Sequence, residues 1–212
     1  GRGVLLGGAP GAAPGRVTVI GAGVAGSHAA EEAVGLGAAV TVIDLSAPRL
    51  AALAEQFGEA VTTVLSTPDA IAEAVAQSDL VIGAVLIPGR PAPKVVTHAM
   101  VEAMRPGAVL VDIAIDQGGC FEDSRPTTHE DPVFRVAGTQ FYCVANMPGA
   151  VGATATAALT AATLPYVRQL ASGVLPAIER NPALARGLNV AGRKLRHPAV
   201  AQAHGALPAE VS

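Results

Sequence analysis

The stretch from Val17 to Asp44, VTVIGAGVAGSHAAEEAVGLGAAVTVID, limits what this chain can fold into more than any other. Val17–Ile20 is a short β-branched run, suited to a strand buried on both faces. Gly21, Gly23 and Gly26 follow with GxGxxG spacing, and apolar residues then recur at helical intervals through Ala29, Ala30, Ala33, Val34 and Leu36. Val40–Ile43 reads as a second buried strand, closed by Asp44. Strand, glycine turn, helix, strand and acid in this order match a dinucleotide-binding βαβ unit. Gly21 allows a tight turn, Gly23 lets a pyrophosphate approach the backbone, and Gly26 lets the helix pack closely. The helix start, with Val24 and Ala25, offers free N–H groups and the positive dipole end to phosphates. Asp44, about 18 residues beyond Gly26, can accept hydrogen bonds from the adenosine ribose and would repel a 2′-phosphate. The expected cofactor is therefore NAD rather than NADP. The alternative is a doubly wound domain whose crevice is empty or takes a mononucleotide.

The pattern continues along the chain. Val4–Leu6 is expected as a short strand before a glycine-rich leading loop. Pro48 opens a helix that runs to Phe57 and stops at Gly58, and Val61–Leu65 is a third strand. Thr67-Pro68-Asp69 is an N-cap sequence for a helix through Ile71, Ala74 and Val75. Leu80–Val85 is the next strand, and the prolines of Leu86–Lys94 prevent its continuation. Thr97 caps a helix through Met100, Val101 and Met104. Val109–Val111 and Phe141–Val144 are the remaining strands expected. This alternation predicts an α/β fold with a doubly wound, mostly parallel sheet. Ligands of such sheets sit at the carboxyl ends of the strands, so the loops after each strand carry the interest. From Ala153 the character changes to helices, over Ala153–Ala171, Val174–Arg180 and Pro182–Arg186, with no strand after them. The expected organisation is a dinucleotide-binding domain over 1–150 and a helical segment of a second domain over 151–212.

Composition narrows the partners. At 212 residues, 50% of them hydrophobic and 15% charged, the chain can bury a sizeable core. The net charge of −3 provides no basic field for nucleic acid. Arg193, Lys194, Arg196 and His197 read as a solvated surface. Cys120 and Cys143 lack metal spacing and suit a reducing cytoplasm without a disulfide. No His, Cys or carboxylate cluster has metal-ligand spacing, so no metal is expected. The uncharged run from Val136 to Val167 could span a bilayer by length. Asn146, Pro148, Gly149 and Gly152 interrupt it, so it is expected as a buried strand, a loop and a closely packed helix, not a membrane segment.

Four runs extend the argument. SDLVIGAVLIPGRPAPK at Ser78–Lys94 resembles a motif of the alanine dehydrogenase and transhydrogenase superfamily. VDIAIDQGGCFEDSRPTTH at Val111–His129, YCVANMPGAV at Tyr142–Val151 and NPALARGLNV at Asn181–Val190 closely resemble bacterial L-alanine dehydrogenases. The likeness covers nearly the whole chain, and the Asp116 loop is its most specific part. It implies NAD-dependent conversion of L-alanine and water to pyruvate, ammonium and NADH, reversibly, in a cytoplasmic homo-oligomer, typically a hexamer. It further implies that an N-terminal substrate segment, with the family's catalytic histidine and lysine, lies outside this chain. The chain alone is then expected to bind NAD(H) without turning over alanine. Two other readings stand beside this one: a nucleotide-binding module of a proton-pumping transhydrogenase, and a non-catalytic NAD(H)-sensing domain. Transhydrogenase subunits usually lack an aspartate at the place of Asp116.

Carried over by position, Asp44 holds the adenosine ribose with Arg49 flanking it, and Ser66, Val85 and Leu86 line the adenine and ribose crevice. Ile113, Asp116, Asn146 and Met147 approach the nicotinamide. Asp116 is the implied catalytic residue, a carboxylate able to orient water and stabilise developing positive charge. Its bland alternative is a loop aspartate that caps the next turn. Asn146 could equally be a strand terminator. His28 and His129 read as structural, and His98, His197 and His204 as surface.

Overall fold

The computed structural model describes residues 1–87 and 91–203; Pro88–Arg90 of the proline-rich motif and His204 lie outside them. The chain forms two compact units, one comprising Gly1–Ile87 and Pro91–Met147 and the other beginning at Pro148. In the first, β1 (Arg16–Ile20), α1 (Val24–Gly35), β2 (Ala39–Asp44), α2 (Ala47–Phe57), β3 (Val61–Leu65) and α3 (Pro68–Gln77) alternate. They are followed by β4 (Leu80–Gly83), α4 (His98–Glu102), β5 (Val109–Asp112), β6 (Val133–Val136) and β7 (Thr139–Tyr142). The sheet has seven strands in the order β3-β2-β1-β4-β5-β7-β6. All neighbours pair in parallel except β6 with β7. The fold is thus the doubly wound α/β type, with strand order reversing between β1 and β4, where such sheets open a crevice.

Period-two alternation assigns the faces. Val17, Val19, Val40, Val42 and Val61 pack with Ala30, Ala33, Leu50 and Leu53 of α1 and α2. Val81, Leu110 and Phe141 pack with Ile71, Val75 and Val101 of α3 and α4, together with Phe121. With no tryptophan available, small aliphatic side chains fill both layers. Phe141 is the aromatic centre, edge-on to Phe121 at 6.2 Å and stacked on Phe134 at 5.2 Å.

Several elements depart from expectation. Val4–Leu6 is not a strand, because the Leu5 and Leu6 carbonyls accept from Gly8 and Gly15 in a turn. β4 stops at Gly83 rather than Val85, since its last partner on β5 is Asp112, where that strand ends. α4 ends at Glu102, and Ala103 and Met104 only close its final turn. The strand expected at Phe141–Val144 lies at Thr139–Tyr142, displaced because it is half of an unforeseen hairpin with β6. Ala137 (φ 45°) and Gly138 (φ 81°) form the two-residue turn of that hairpin.

The second unit contains α5 (Gly152–Ala171), α6 (Val174–Arg180), α7 (Pro182–Arg186), β8 (Val190–Ala191), β9 (Lys194–Leu195) and α8 (Pro198–Ala203). The β8–β9 hairpin contradicts the expectation of no strand after Ala153. Its two-residue strands are too short to show alternation, and Gly192 and Arg193, at φ 57° and 62°, make the turn. The expected close packing of the long helix is not found either. No residue of α5 is buried, and Leu159 and Val167 stand in solvent. A helix of small residues is buried only by a broad layer laid against it, and this unit sets mainly the short α6 beside it. By length and composition Met147–Ala171 could cross a membrane, with Pro165 inside its helix.

One connection bears on the site. The segment from Pro91 to Thr97 runs beside residues 117–122, with the amides of Ala92 and Val95 donating to the carbonyls of Gln117 (2.9 Å) and Cys120 (2.8 Å), and Glu122 N–H returning to Val96 O (2.8 Å). At its end His98 N–H donates to Glu122 Oε2 at 2.8 Å, and His98 Nδ1 lies 3.0 Å from both Asp123 carboxylate oxygens. The Asp123 hydrogen bond and charge, helped by Glu102 and Glu122, raise the His98 pKa above its ordinary 6.5. A raised folded-state value means that this contact's stabilisation is fully present below the unfolded pKa and is lost as pH rises through the folded one. An NMR titration should place the His98 midpoint above 6.5. The urea-midpoint difference between the parent chain and His98→Gln should shrink as pH rises from about 5.5 to about 8.5. A midpoint at or below the ordinary value would contradict the contact.

Candidate functional site

The carboxyl ends of β1, β2, β3, β4, β5 and β7 share one edge of the sheet, and every expected cofactor-binding or catalytic residue ends one of these strands or follows it. After β1 the chain turns at Gly21, whose φ of 107° and position 2.6 Å (for an added Cβ) from Ala84 O exclude other residues. Gly26 is equally confined, because a Cβ there would overlap the Gly21 carbonyl oxygen. Gly23 differs, as a Cβ on it would meet nothing within 4 Å. It is the N-cap of α1, which has no side-chain cap and no acid in its first turn. Val24 and Ala25 are exposed, and first-turn amides have no acceptor within a helix. This leaves a helix start with open space beside it and donors directed outward.

Asp44, at the end of β2, is half-buried and tied on both sides. Its Oδ2 accepts from Ala22 N–H at 2.6 Å and its Oδ1 from Ser46 N–H at 2.7 Å. A carboxylate has about four lone-pair positions, so capacity remains for further donors. Ser66 N–H donates to Asp44 O at 2.9 Å, which links the end of β3 to the same point. Arg49 is exposed near the start of α2. After β4, Val85 is half-buried and Leu86 exposed.

Beyond β5 a 3₁₀ turn spans Ile113–Gln117. Its cap is Asp112, fully buried, a residue that sequence reasoning passed over. Asp112 Oδ1 accepts from Ala114 N–H at 3.0 Å. Its Oδ2 accepts from Cys120 N–H (2.8 Å), Phe121 N–H (3.3 Å) and Ser124 Oγ (2.5 Å). Gly118 and Gly119, at φ 90° and 74°, reverse the chain so that these donors converge. On the outside, Lys94 Nζ donates to the carbonyls of Gly118 (2.6 Å) and Phe121 (2.9 Å). An aspartate that directly closes an apolar strand ahead of a Gly-Gly pair was the available signal for Asp112; Lys94 had none beyond its motif. Asp116 is exposed on this turn, and among the described residues no hydrogen bond or ion pair occupies its carboxylate. The capping role considered for it belongs to Asp112.

After β7, Asn146 is exposed at φ 52° and Met147 half-buried. Thr127 runs alongside this strand end, donating to Cys143 O at 2.9 Å and accepting from Ala145 N–H at 3.3 Å. That pairing brings His129 Nε2 to 3.3 Å from Asn146 O. His28 instead contacts Glu31 on α1, at 3.2 Å. Both cysteines are free and buried. Burial and the Asp112 carboxylate push the Cys120 thiol far above the ordinary range, and burial raises Cys143 as well, so neither is nucleophilic near neutrality. Among the described residues no group of three or more His, Cys, Asp or Glu could hold a metal ion.

Comparison with known proteins agrees with this fold. The family described as "Alanine dehydrogenase/PNT, C-terminal domain" matches residues 1–198. The chain is 57% identical over 206 residues to an alanine dehydrogenase of Halomonas elongata, covering 97% of this chain and 56% of that protein. A solved L-alanine dehydrogenase superposes with a TM-score of 0.86 at 53% identity, over 97% of this chain and 57% of its own. A transhydrogenase from Sinorhizobium meliloti superposes with a TM-score of 0.63 at 32% identity, over 73% of this chain and 44% of its own. The chain thus spans about half the length of the relatives it matches. It belongs to the alanine dehydrogenase/PNT C-terminal domain family.

Proposed function

We propose that this chain is the coenzyme-binding part of an NAD-dependent L-alanine dehydrogenase, which oxidatively deaminates L-alanine to pyruvate and ammonium in a reversible reaction. The observation that carries the reading is an exposed, unengaged Asp116 carboxylate on the same sheet edge as an uncapped helix start. NAD fits that edge: the space beside Gly23 is open, the α1 amides face it, and Asp44 keeps acceptor capacity beside them. Bound there, NAD supplies the hydride acceptor.

The chain's own residues divide the remaining work. The amides following Gly23, including those of Val24 and Ala25, bind the pyrophosphate, with Gly21 and Gly26 holding the turn. Asp44 accepts from the adenosine ribose hydroxyls, and its charge disfavours a 2′-phosphate. Arg49, Ser66, Val85 and Leu86 surround the adenosine half, and Ile113, Asn146 and Met147 the nicotinamide half. Loss of hydride from the α-carbon of alanine leaves an iminium carbon that water must attack. Asp116 orients that water and stabilises the developing positive charge. Residues 151–212 belong to the substrate domain in this reading, and the enzyme is a cytoplasmic homo-oligomer, a hexamer as in the family. An exposed aspartate on the 3₁₀ turn favours this reading over that of a transhydrogenase module.

Two measurements test the proposal. In an NADH fluorescence titration of the chain, Asp44→Ala should weaken binding by about 10-fold or more, the worth of a charged hydrogen bond to the ribose. The same variant should narrow the preference for NAD(H) over NADP(H), and an unaltered ratio would contradict the ribose assignment. In a chain of the relatives' full length, Asp116→Ala should lower alanine turnover by about 10²- to 10⁴-fold. NADH affinity should stay within about threefold; wild-type turnover would remove Asp116 from the mechanism.

A further inference from the structure

Among the described residues no hydrogen bond or ion pair holds the Asp116 side chain, so its direction follows from the backbone that carries it. That backbone is a five-residue 3₁₀ turn, Ile113–Gln117, whose far end runs straight into Gly118 and Gly119. Two consecutive glycines at positive φ make a pivot, since glycine lacks the steric limits that hold other residues to one conformation. The near end of the turn is fixed by Asp112. The far end is held within the backbone by Gly118 N–H to Ile115 O (3.0 Å), Gly119 N–H to Ala114 O (3.0 Å) and Ala92 N–H to Gln117 O (2.9 Å), which leaves the Gly118 carbonyl to be fixed from outside.

Lys94 supplies that outer tie. Its ammonium donates to Gly118 O at 2.6 Å, between the two glycines, and to Phe121 O at 2.9 Å beyond them. The two carbonyls thus span Gly119 and Cys120 and are clamped to one cation. Phe121 is fully buried in the core, so the clamp refers the Gly118 carbonyl to a rigid point. The positive charge also stands at the carbonyl end of the 3₁₀ turn, the favourable pole for a cation. Lys94 reaches this place because Pro91 and Pro93 keep its segment extended, while the amides of Ala92 and Val95 register it against Gln117 and Cys120. The side chain remains exposed, and exposed polar contacts add little to global stability. Its two short bonds therefore matter more for where Asp116 points than for whether the domain folds.

We propose that Lys94 is a positioning residue for Asp116, its ammonium bridging the Gly118 and Phe121 carbonyls so that the glycine pivot is locked and the carboxylate is aimed. This rests on the reading of Asp116 as the carboxylate at the reacting centre.

The test uses Lys94→Met, Lys94→Arg, Asp116→Ala and the Lys94→Met/Asp116→Ala double variant in the full-length enzyme. Lys94→Met should lower alanine turnover by about 10- to 100-fold, the cost of a catalytic group displaced by about an ångström. Its NADH dissociation constant should stay within about threefold of the parent value, and its melting temperature within a few degrees. Arginine, which can also bridge two carbonyls, should restore most of the turnover. In the Asp116→Ala background, Lys94→Met should change the residual rate by less than about twofold, because coupled residues do not lose the same interaction twice. Parental turnover in Lys94→Met would overturn the proposal. So would an equal loss in the Asp116→Ala background, or a joint fall of turnover, coenzyme affinity and melting temperature without rescue by arginine. Parental turnover in Asp116→Ala would instead bring down the reading of Asp116 itself, an outcome the single variants tell apart.

Discussion

The carboxylate of Asp112 is the point on which the working edge of this protein depends. A charge with no access to water must be surrounded by donors, or it costs several kcal/mol. The loop from Ala114 to Ser124 meets that demand by folding back until three amides and a hydroxyl converge on it. The reversal leaves Gly119 so close that an added Cβ would stand 2.7 Å from Asp112 Oδ2 and 2.8 Å from Ser124 Cβ. It also drives Phe121 inward onto Phe141, across a Gly83 whose missing side chain makes the space, since a Cβ there would lie 2.6 Å from the Phe121 ring. With its first residues turned to the core, the loop has one place left for Asp116, which is outside.

Two strands of the sheet end in aspartate, and both use it in the same way. Asp44 closes β2 and Asp112 closes β5, and each turns its side chain onto main-chain amides of the loops beyond. Burial separates their fates. Asp112 is sealed, so all its capacity goes to holding the loop, while Asp44 is only half-covered and keeps acceptor capacity toward solvent. Asp116, on no strand at all, keeps everything. The three carboxylates form a gradation from fully engaged to open.

What could be read in the sequence was what local chemistry decides. Val17–Asp44 shows its strand, turn and helix through β-branching, glycine spacing and helical period, and all three lie where that reading put them. Thr67 and Thr97 cap their helices as their positions suggested, accepting from Ala70 N–H at 3.1 Å and Met100 N–H at 3.3 Å. Features decided by distant partners were illegible. Val133–Val136 carries strand-favouring residues, but its pairing depends on a turn through Ala137, a residue not favoured at positive φ. Asp44 was read as a ligand for ribose, yet its bond to Ala22 crosses from one strand end to another and could be seen only in three dimensions. The exposure of α5 follows from what the second unit lacks around it, which the composition of the helix itself does not encode.

The three glycines of the turn answer to different constraints. At Gly21 and Gly26 any side chain collides with the protein's own backbone, whereas at Gly23 it would project into vacant space. A library randomised at all three positions and sorted for soluble, folded protein alone would therefore keep glycine at two of them and accept alanine, serine or valine at the third. Folding alone does not account for glycine at the third position, and a second sort against immobilised NAD is what would test the contact proposed for it.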